Sequence, residues 1–213
     1  HRAAQRVMEA TGARVRIARG GADCCGALHI HAGRIDDARR LATRVMAAMA
    51  GDQPIVVDSA GCSAAMKDYG RLFGTDDARR FSARVRDFAE WLAETGVPPV
   101  RRMQQSVVVQ DPCHLRHVQR QTEPTRRALG AAFTLLETAD EGLCCGAGGA
   151  YGVLQPELSQ AIRARKVSAL ETVGGAHCIV ASANPGCMLH LRGAGVDARH
   201  PAELLAEALD GGC

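Results

Sequence analysis

Two cysteine doublets, each followed by glycine, constrain this chain more than any other feature: Cys24-Cys25-Gly26 and Cys144-Cys145-Gly146. Neighbouring cysteines make poor disulfide partners, because the bond between them closes a strained ring. Each doublet is followed by a further Gly-Cys pair, Gly61-Cys62 and Gly186-Cys187, and the second is preceded by Cys113 within Asp111-Pro112-Cys113-His114. Seven of the nine cysteines fall into this repeated pattern. Burial as small apolar side chains does not require doublets at repeated positions, so the pattern points to metal rather than packing. Cys178, inside an expected strand, and Cys213, at the end of the chain, are read as packing residues.

The doublets are offset by 120 residues, and similar elements follow each. In the first copy these are a helix at roughly Ile35–Met49, a strand at Pro54–Val57 and the Gly61-Cys62 turn. In the second they are a helix at roughly Pro156–Thr172, a strand at His177–Ala181 and a turn at Asn184–Cys187. A further strand, Val107–Val109, runs into Cys113, whose counterpart in the first copy would lie before residue 1. Residue 1 is His, and the chain is read as a C-terminal piece of something longer. Arg79–Gly96 reads as one amphipathic helix whose Phe81, Phe88 and Trp91 belong to the core, and Val97-Pro98-Pro99 as a linker. The expected architecture is α/β: two tandem related cysteine-rich domains, 1–98 and 99–213, with mostly parallel sheets. Sites on such sheets gather at the carboxyl ends of strands, and Cys62, Cys113 and Cys187 all follow expected strands.

Bulk properties exclude several classes. With 46% hydrophobic and 23% charged residues the chain suits a packed globular core. A net charge of +3 is too small to argue for nucleic acid. No run approaches the ~20 apolar residues of a membrane span. A chain of this length builds its own core without disulfides, so unpaired cysteines point to a reducing, cytoplasmic compartment.

Thiolates suit zinc or iron–sulfur clusters. The Cys-x-x-Cys knuckles common at zinc sites are missing: Ala65 and His190 stand three residues after Cys62 and Cys187. Adjacent cysteines send their sulfurs in different directions, which suits a cluster of several irons, with zinc the alternative. Cys113, Cys144, Cys145 and Cys187 supply four thiolates; Cys24, Cys25 and Cys62 supply three. His29 and His31 could complete the first set or act beside it, and His114 and His117 stand near Cys113. Gly146, Gly148, Gly149 and Gly152 lack the dinucleotide spacing and are read as letting the backbone pass close to a cluster. Asp58 and Asp111 are read as caps or solvated charges, and no catalytic constellation stands out.

The pattern Cys, about thirty residues, Cys-Cys-Gly, about forty residues, Gly-Cys resembles the CCG cysteine-rich domain. That domain is shared by the cysteine-rich component of heterodisulfide reductase and the iron–sulfur subunits of membrane-associated flavin dehydrogenases. Flanking segments narrow the resemblance: Cys24–His31, Ala60-Gly61-Cys62 with Lys67–Gly70, Gln110–His114, Leu143–Gly146, Leu154–Leu158 and Asn184–Cys187 are similar to the glycolate oxidase (glycolate dehydrogenase) iron–sulfur subunit. The resemblance implies an electron-transfer subunit without catalytic residues of its own. Cys24, Cys25, Cys62, Cys113, Cys144, Cys145 and Cys187 would hold iron–sulfur clusters of the [4Fe-4S] type. Electrons would pass from a flavin-containing subunit that oxidises glycolate to glyoxylate toward the membrane quinone pool, the complex lying peripherally on the inner face of the cytoplasmic membrane. Relatives acting in lactate or glycerol-3-phosphate oxidation share the doublets, and a structural zinc-binding assembly module is the alternative of a different class. The fifth cysteine of heterodisulfide reductase is missing, which argues against disulfide cleavage.

Overall fold

In the computed structural model, residues 1–18, 20–140 and 142–210 are described; Cys213 lies outside them. Two compact units are present, one formed by Val15–Phe88 and one by His1–Arg14 with Ala89–Cys213. The first helix, α1 (Arg2–Ala10), belongs to the larger unit.

In the smaller unit the first doublet leads into α2 (Ala27–His31) and α3 (Ile35–Ala48). The short strand β1 (Ile55–Val57) then runs into α4 (Ala60–Lys67), followed by α5 (Tyr69–Phe73) and α6 (Asp76–Arg84). The strand β2 (Val85–Asp87) closes the unit by pairing in parallel with β1, Ile55 opposite Val85. Its core joins Cys25, Ala42, Val45, Ile55, Met66, Tyr69, Phe81 and Val85. The Phe81 ring stacks on Tyr69 with centroids 5.6 Å apart.

The single helix expected over Arg79–Gly96 is interrupted by β2 and resumes as α7 (Phe88–Thr95). Helical spacing of the apolar residues holds on both sides of the break, which concealed it. The deciding factor is tertiary: β-branched Val85 fills the core, and the Val85–Asp87 backbone supplies the ladder that β1 needs. Phe81, Phe88 and Trp91 are buried, as expected.

The larger unit is built on a four-stranded, all-parallel sheet in the order β4-β3-β5-β6, so α/β architecture with parallel sheets is observed. After β3 (Ser106–Gln110) comes a π-helical turn, His114–Gln119, then α8 (Glu123–Gly130) and β4 (Thr134–Glu137). The second doublet leads into α9 (Tyr151–Leu154) and α10 (Pro156–Gly174). The strand β5 (Ile179–Ser182), α11 (Pro185–Arg192), β6 (Asp197–Arg199) and α12 (Pro201–Asp210) follow. Val107, Val108 and Val109 are buried on the central strand. Buried on both faces, parallel strands read as unbroken apolar runs.

The repeat is visible in element order. With α5 and α6 set between α4 and β2, the order β1, α4, β2, α7 corresponds to β5, α11, β6, α12. At the doublet offset α1 falls on α8, yet α1 packs against α12. No helix among the described residues is long and apolar enough to cross a membrane.

The packing predicts that Phe81→Ala costs about 3–5 kcal/mol, because a buried aromatic is removed and Tyr69 loses its stacked partner. Arg71→Ala, on the exposed face of α5, should stay within about 0.5 kcal/mol. Urea denaturation of the two variants should show a lower midpoint for the first alone.

Candidate metal centre

Three cysteine-bearing segments of the larger unit leave the carboxyl ends of three neighbouring parallel strands. Cys113 follows β3, the Cys144-Cys145 loop follows β4, and Cys187 follows β5. Cys187 stands in the first turn of α11, the position that Cys62 holds in α4, rather than in the open turns expected at Gly61-Cys62 and Asn184–Cys187. A helix start directs backbone N–H groups and the positive end of the helix dipole at a thiolate.

The four sulfurs of the larger unit form one connected row, with hydrogen-bonding neighbours Cys113–Cys144, Cys144–Cys145 and Cys145–Cys187. The row sets up alternating protonation. Cys144 is held far below the ordinary thiol value, chiefly by Cys113, then by Cys145, with the Gly146 N–H adding to both. Cys187 is also lowered, first by Cys145 and then by Asn184. Their partners Cys113 and Cys145 are pushed up, first by holding those hydrogen bonds and then by burial. The Gly146 N–H lies 3.3 Å from the Cys144 Sγ, and Asn184 Nδ2 lies 3.5 Å from the Cys187 Sγ.

The smaller unit repeats the arrangement with three cysteines. Cys25 and Cys62 interact directly: Cys62 is lowered to about 6, chiefly by the Cys25 hydrogen bond, while Cys25 is raised by the same bond and by burial. Cys24 is exposed, and the Gly26 N–H lies 3.5 Å from its Sγ. The buried Tyr69 hydroxyl donates to the Cys25 carbonyl at 2.6 Å.

Both doublets are pinned by their glycine. Gly26 and Gly146 adopt left-handed backbone, with φ of 80° and 92°. A Cβ on Gly26 would stand 3.1 Å from the Ala38 carbonyl oxygen, and one on Gly146 would overlap the Ser159 carbonyl oxygen. Each doublet glycine therefore lies directly on the second helix after it, α3 in the smaller unit and α10 in the larger. Ser159, fully buried, donates from Oγ to the Gly146 carbonyl at 2.8 Å, and His190 Nε2 lies 3.2 Å from the same hydroxyl.

Charged side chains secure the remaining loops. Asp111 is neither a cap nor a solvated charge: its side chain is 5% exposed and clamped by Arg126, with Nη1–Oδ1 at 3.1 Å and Nη2–Oδ2 at 2.9 Å. Arg126 also bonds both carboxylate oxygens of Glu137, which ties the loop of Cys113 to the end of β4. Burial is offset because every oxygen of Asp111 finds a charged donor. Lys166 of α10, 1% exposed, meets Asp140 at 2.5 Å on the turn before the second doublet. Sequence reasoning missed Arg126, Asp140, Ser159, Lys166 and His190. The signal for Lys166 was a lone lysine on the apolar side of an otherwise regular helix.

The expected histidines divide. His114 Nδ1 stands 3.6 Å from the Cys113 Sγ. His29 carries a buried Nδ1 without a hydrogen-bond partner, while His31 and His117 are exposed. Cys178 directs its sulfur to the Leu170 carbonyl at 3.8 Å, immediately before β5 rather than within it.

Soft sulfur donors with N–H groups aimed at them, packed against Val108, Leu170, Val180 and Leu191, fit an iron–sulfur cluster in chemistry. Among the described residues no three His, Cys, Asp or Glu side chains converge on a point suited to a single metal ion. The sulfurs make a row rather than a closed shell.

The cysteine-rich domain model named CCG matches residues 1–67 and 107–192, covering both doublets and all seven patterned cysteines. The chain belongs to the CCG cysteine-rich domain family. It is 32% identical over 202 residues to the glycolate oxidase iron-sulfur subunit of Escherichia coli (strain K12), covering 89% of this chain and 49% of that one. It is 31% identical over 207 residues to the probable glycolate oxidase iron-sulfur subunit of Bacillus subtilis (strain 168), covering 87% and 46%. Lactate utilization protein A of Shouchella clausii is 24% identical over 204 residues, covering 85% and 82%. The chain spans about half the length of the first two relatives.

Gly146→Ala should destabilise the larger unit by about 2 kcal/mol more than Gly175→Ala. Both residues have positive φ, but a Cβ on Gly175 meets open space. Thermal unfolding of the two variants measures the difference.

Proposed function

We propose that this chain is the cysteine-rich, electron-transferring part of an iron–sulfur subunit of a glycolate-oxidising, flavin-dependent dehydrogenase complex. The observation that carries the reading is the joining of half-buried Cys113 and Cys144 with buried Cys145 and Cys187 into one row at the carboxyl ends of three parallel strands. The similarity to glycolate oxidase iron-sulfur subunits over nearly the whole chain supports the substrate class.

In this reading those four cysteines hold one cluster of the [4Fe-4S] type. Cys24, Cys25 and Cys62 belong to a second site, with His29 the candidate for a further ligand because its Nδ1 is buried and unpartnered. When bound, such clusters take up and pass on single electrons. The chain's own residues bind and tune: Gly146, Gly26 and Asn184 donate hydrogen bonds to sulfur, and the apolar core limits water. Cys113 and Cys145 would release their protons as metal enters. Substrate oxidation belongs to a flavin-containing partner subunit, and this chain is non-catalytic. Electrons leave toward the quinone pool from a cytoplasmic complex resting peripherally on the membrane. The two sequence copies, 1–98 and 99–213, each contribute one site.

A second reading keeps electron transfer but changes the substrate to lactate, favoured by the match to lactate utilization protein A over 82% of that protein. Glycolate-dependent reduction of the clusters in the purified complex, with no response to lactate, would decide for the first reading.

Full-length protein purified anaerobically is expected to contain iron and acid-labile sulfide in equal amounts. Cys187→Ser should remove one cluster's worth of both and one EPR signal, while Cys62→Ser removes a different signal. Zinc without acid-labile sulfide would overturn the reading in favour of a structural module.

A further inference from the structure

Both doublets place the same bond on their first sulfur. The Gly146 N–H lies 3.3 Å from the Cys144 Sγ, and the Gly26 N–H lies 3.5 Å from the Cys24 Sγ. In the smaller unit the other end of that peptide is gripped as well: the Tyr69 hydroxyl donates to the Cys25 carbonyl at 2.6 Å. The Cys25 carbonyl and the Gly26 N–H belong to one planar peptide group. No peptide bond among the described residues is cis, so the two point in opposite directions. A continuous line of hydrogen bonds therefore runs from the Tyr69 hydroxyl, through the Cys25–Gly26 peptide, to the Cys24 sulfur.

Both ends of this line are fixed. The fully buried Tyr69 ring stacks on Phe81 with centroids 5.6 Å apart and meets Phe73 edge-on at 6.3 Å. Gly26 stands against Ala38 of α3, and its own carbonyl accepts from the His29 and Ile30 N–H groups at 3.0 and 3.1 Å. A hydrogen bond to an amide carbonyl polarises the whole amide and strengthens what its N–H donates. Cys24 is exposed, so water competes for its sulfur. A fixed and strengthened donor keeps the protein's own bond there.

The larger unit shows that the fold does not demand the tyrosine. Cys62 and Cys187 are each the third residue of an eight-residue helix, and counting on from them Tyr69 falls on Ala194. Ser159, the buried hydroxyl of the larger unit, donates instead to the Gly146 carbonyl, which belongs to the next peptide along. The N–H bond to Cys144 forms all the same. Cys144 is half-buried where Cys24 is exposed. Tyr69 is thus an addition made at the doublet whose first sulfur faces solvent.

We propose that Tyr69 is a positioning residue of the first half-site: through the Cys25–Gly26 peptide it aims and strengthens the N–H bond to the Cys24 sulfur, and so raises that site's affinity for an electron. Hydrogen bonds to sulfur favour the reduced, more negative state of an iron–sulfur site. The device moves no proton and changes no ligand; it shifts only the balance between the two states of the site. This rests on the electron-transfer reading above.

The test uses the full-length protein, reconstituted anaerobically, with potentials read by EPR-monitored redox titration and the first site's signal identified by its loss in Cys62→Ser. Tyr69→Phe keeps the ring and is expected to retain iron and acid-labile sulfide. Reduction of the first site should become at least threefold less favourable, which is about 28 mV for one electron, while the second site's potential stays in place. In pulsed EPR after exchange into deuterated water, the exchangeable-deuteron coupling on the first site's signal should weaken in the same variant. Should Tyr69→Phe fail to load, 3-fluorotyrosine incorporated at position 69, a stronger donor of nearly the same shape, should raise the first site's potential instead. Loaded Tyr69→Phe protein with the wild-type first-site potential would overturn the proposal. So would an equal shift at both sites, which assigns the effect to general loosening, or the absence of an upward shift with 3-fluorotyrosine. Wild-type protein lacking acid-labile sulfide would overturn the electron-transfer reading itself, and this proposal with it.

Discussion

The contact of each doublet glycine with a longer helix beyond it, Gly26 with α3 and Gly146 with α10, is the constraint from which both units are built. Gly146 lies so close to the Ser159 carbonyl that no side chain fits between them, and Gly26 stands less tightly against Ala38, where a Cβ would come to 3.1 Å of the carbonyl oxygen. The left-handed turn at the glycine reverses the chain just after two cysteines have been placed. The preceding sulfur is left facing an N–H, and the doublet is fixed to a long helix, which in the larger unit packs on the sheet. Helix and sulfur positions thereby become one mechanical unit, and the spacing of the cysteines is set by backbone contact rather than by flexible side chains.

Much of this was legible beforehand because it depends on local chemistry. Cysteine doublets, glycine after them, the valine run ahead of Cys113 and the short β-branched stretch ahead of Cys187 each follow from short-range rules, and helices α3 and α10 and strands β1, β3 and β5 formed close to where the periodicity placed them. What stayed hidden depends on partners distant in sequence. Strand β2 interrupts a helical pattern because β1 needs a ladder, a demand invisible within Val85–Asp87 itself. Asp111 read as a cap because its clamp, Arg126, lies fifteen residues away on another element. Lys166 stands where the sister copy has Met46, so only the two copies side by side mark it as a charge in an apolar row.

The repeat also separates what the fold requires from what one site adds. Glycine in the left-handed conformation, a helix beneath it, and a cysteine in the first turn of the next helix occur in both units. Tyr69 bonding the Cys25 carbonyl in one unit and Ser159 bonding the Gly146 carbonyl in the other solve the same problem with different groups. Each satisfies a backbone acceptor that burial would otherwise leave unpaired.

The placement of the four sulfurs on loops after β3, β4 and β5 has a consequence for how the centre comes into being. No continuous segment of the larger unit holds more than two of them, and the row exists only once β3 has paired with both its neighbours. Parallel pairings of this kind close long loops and form late and slowly. The cysteine row is thus a product of completed non-local folding rather than its nucleus. Before that point the four sulfurs are one doublet and two lone cysteines on separate segments, each open to oxidation by itself.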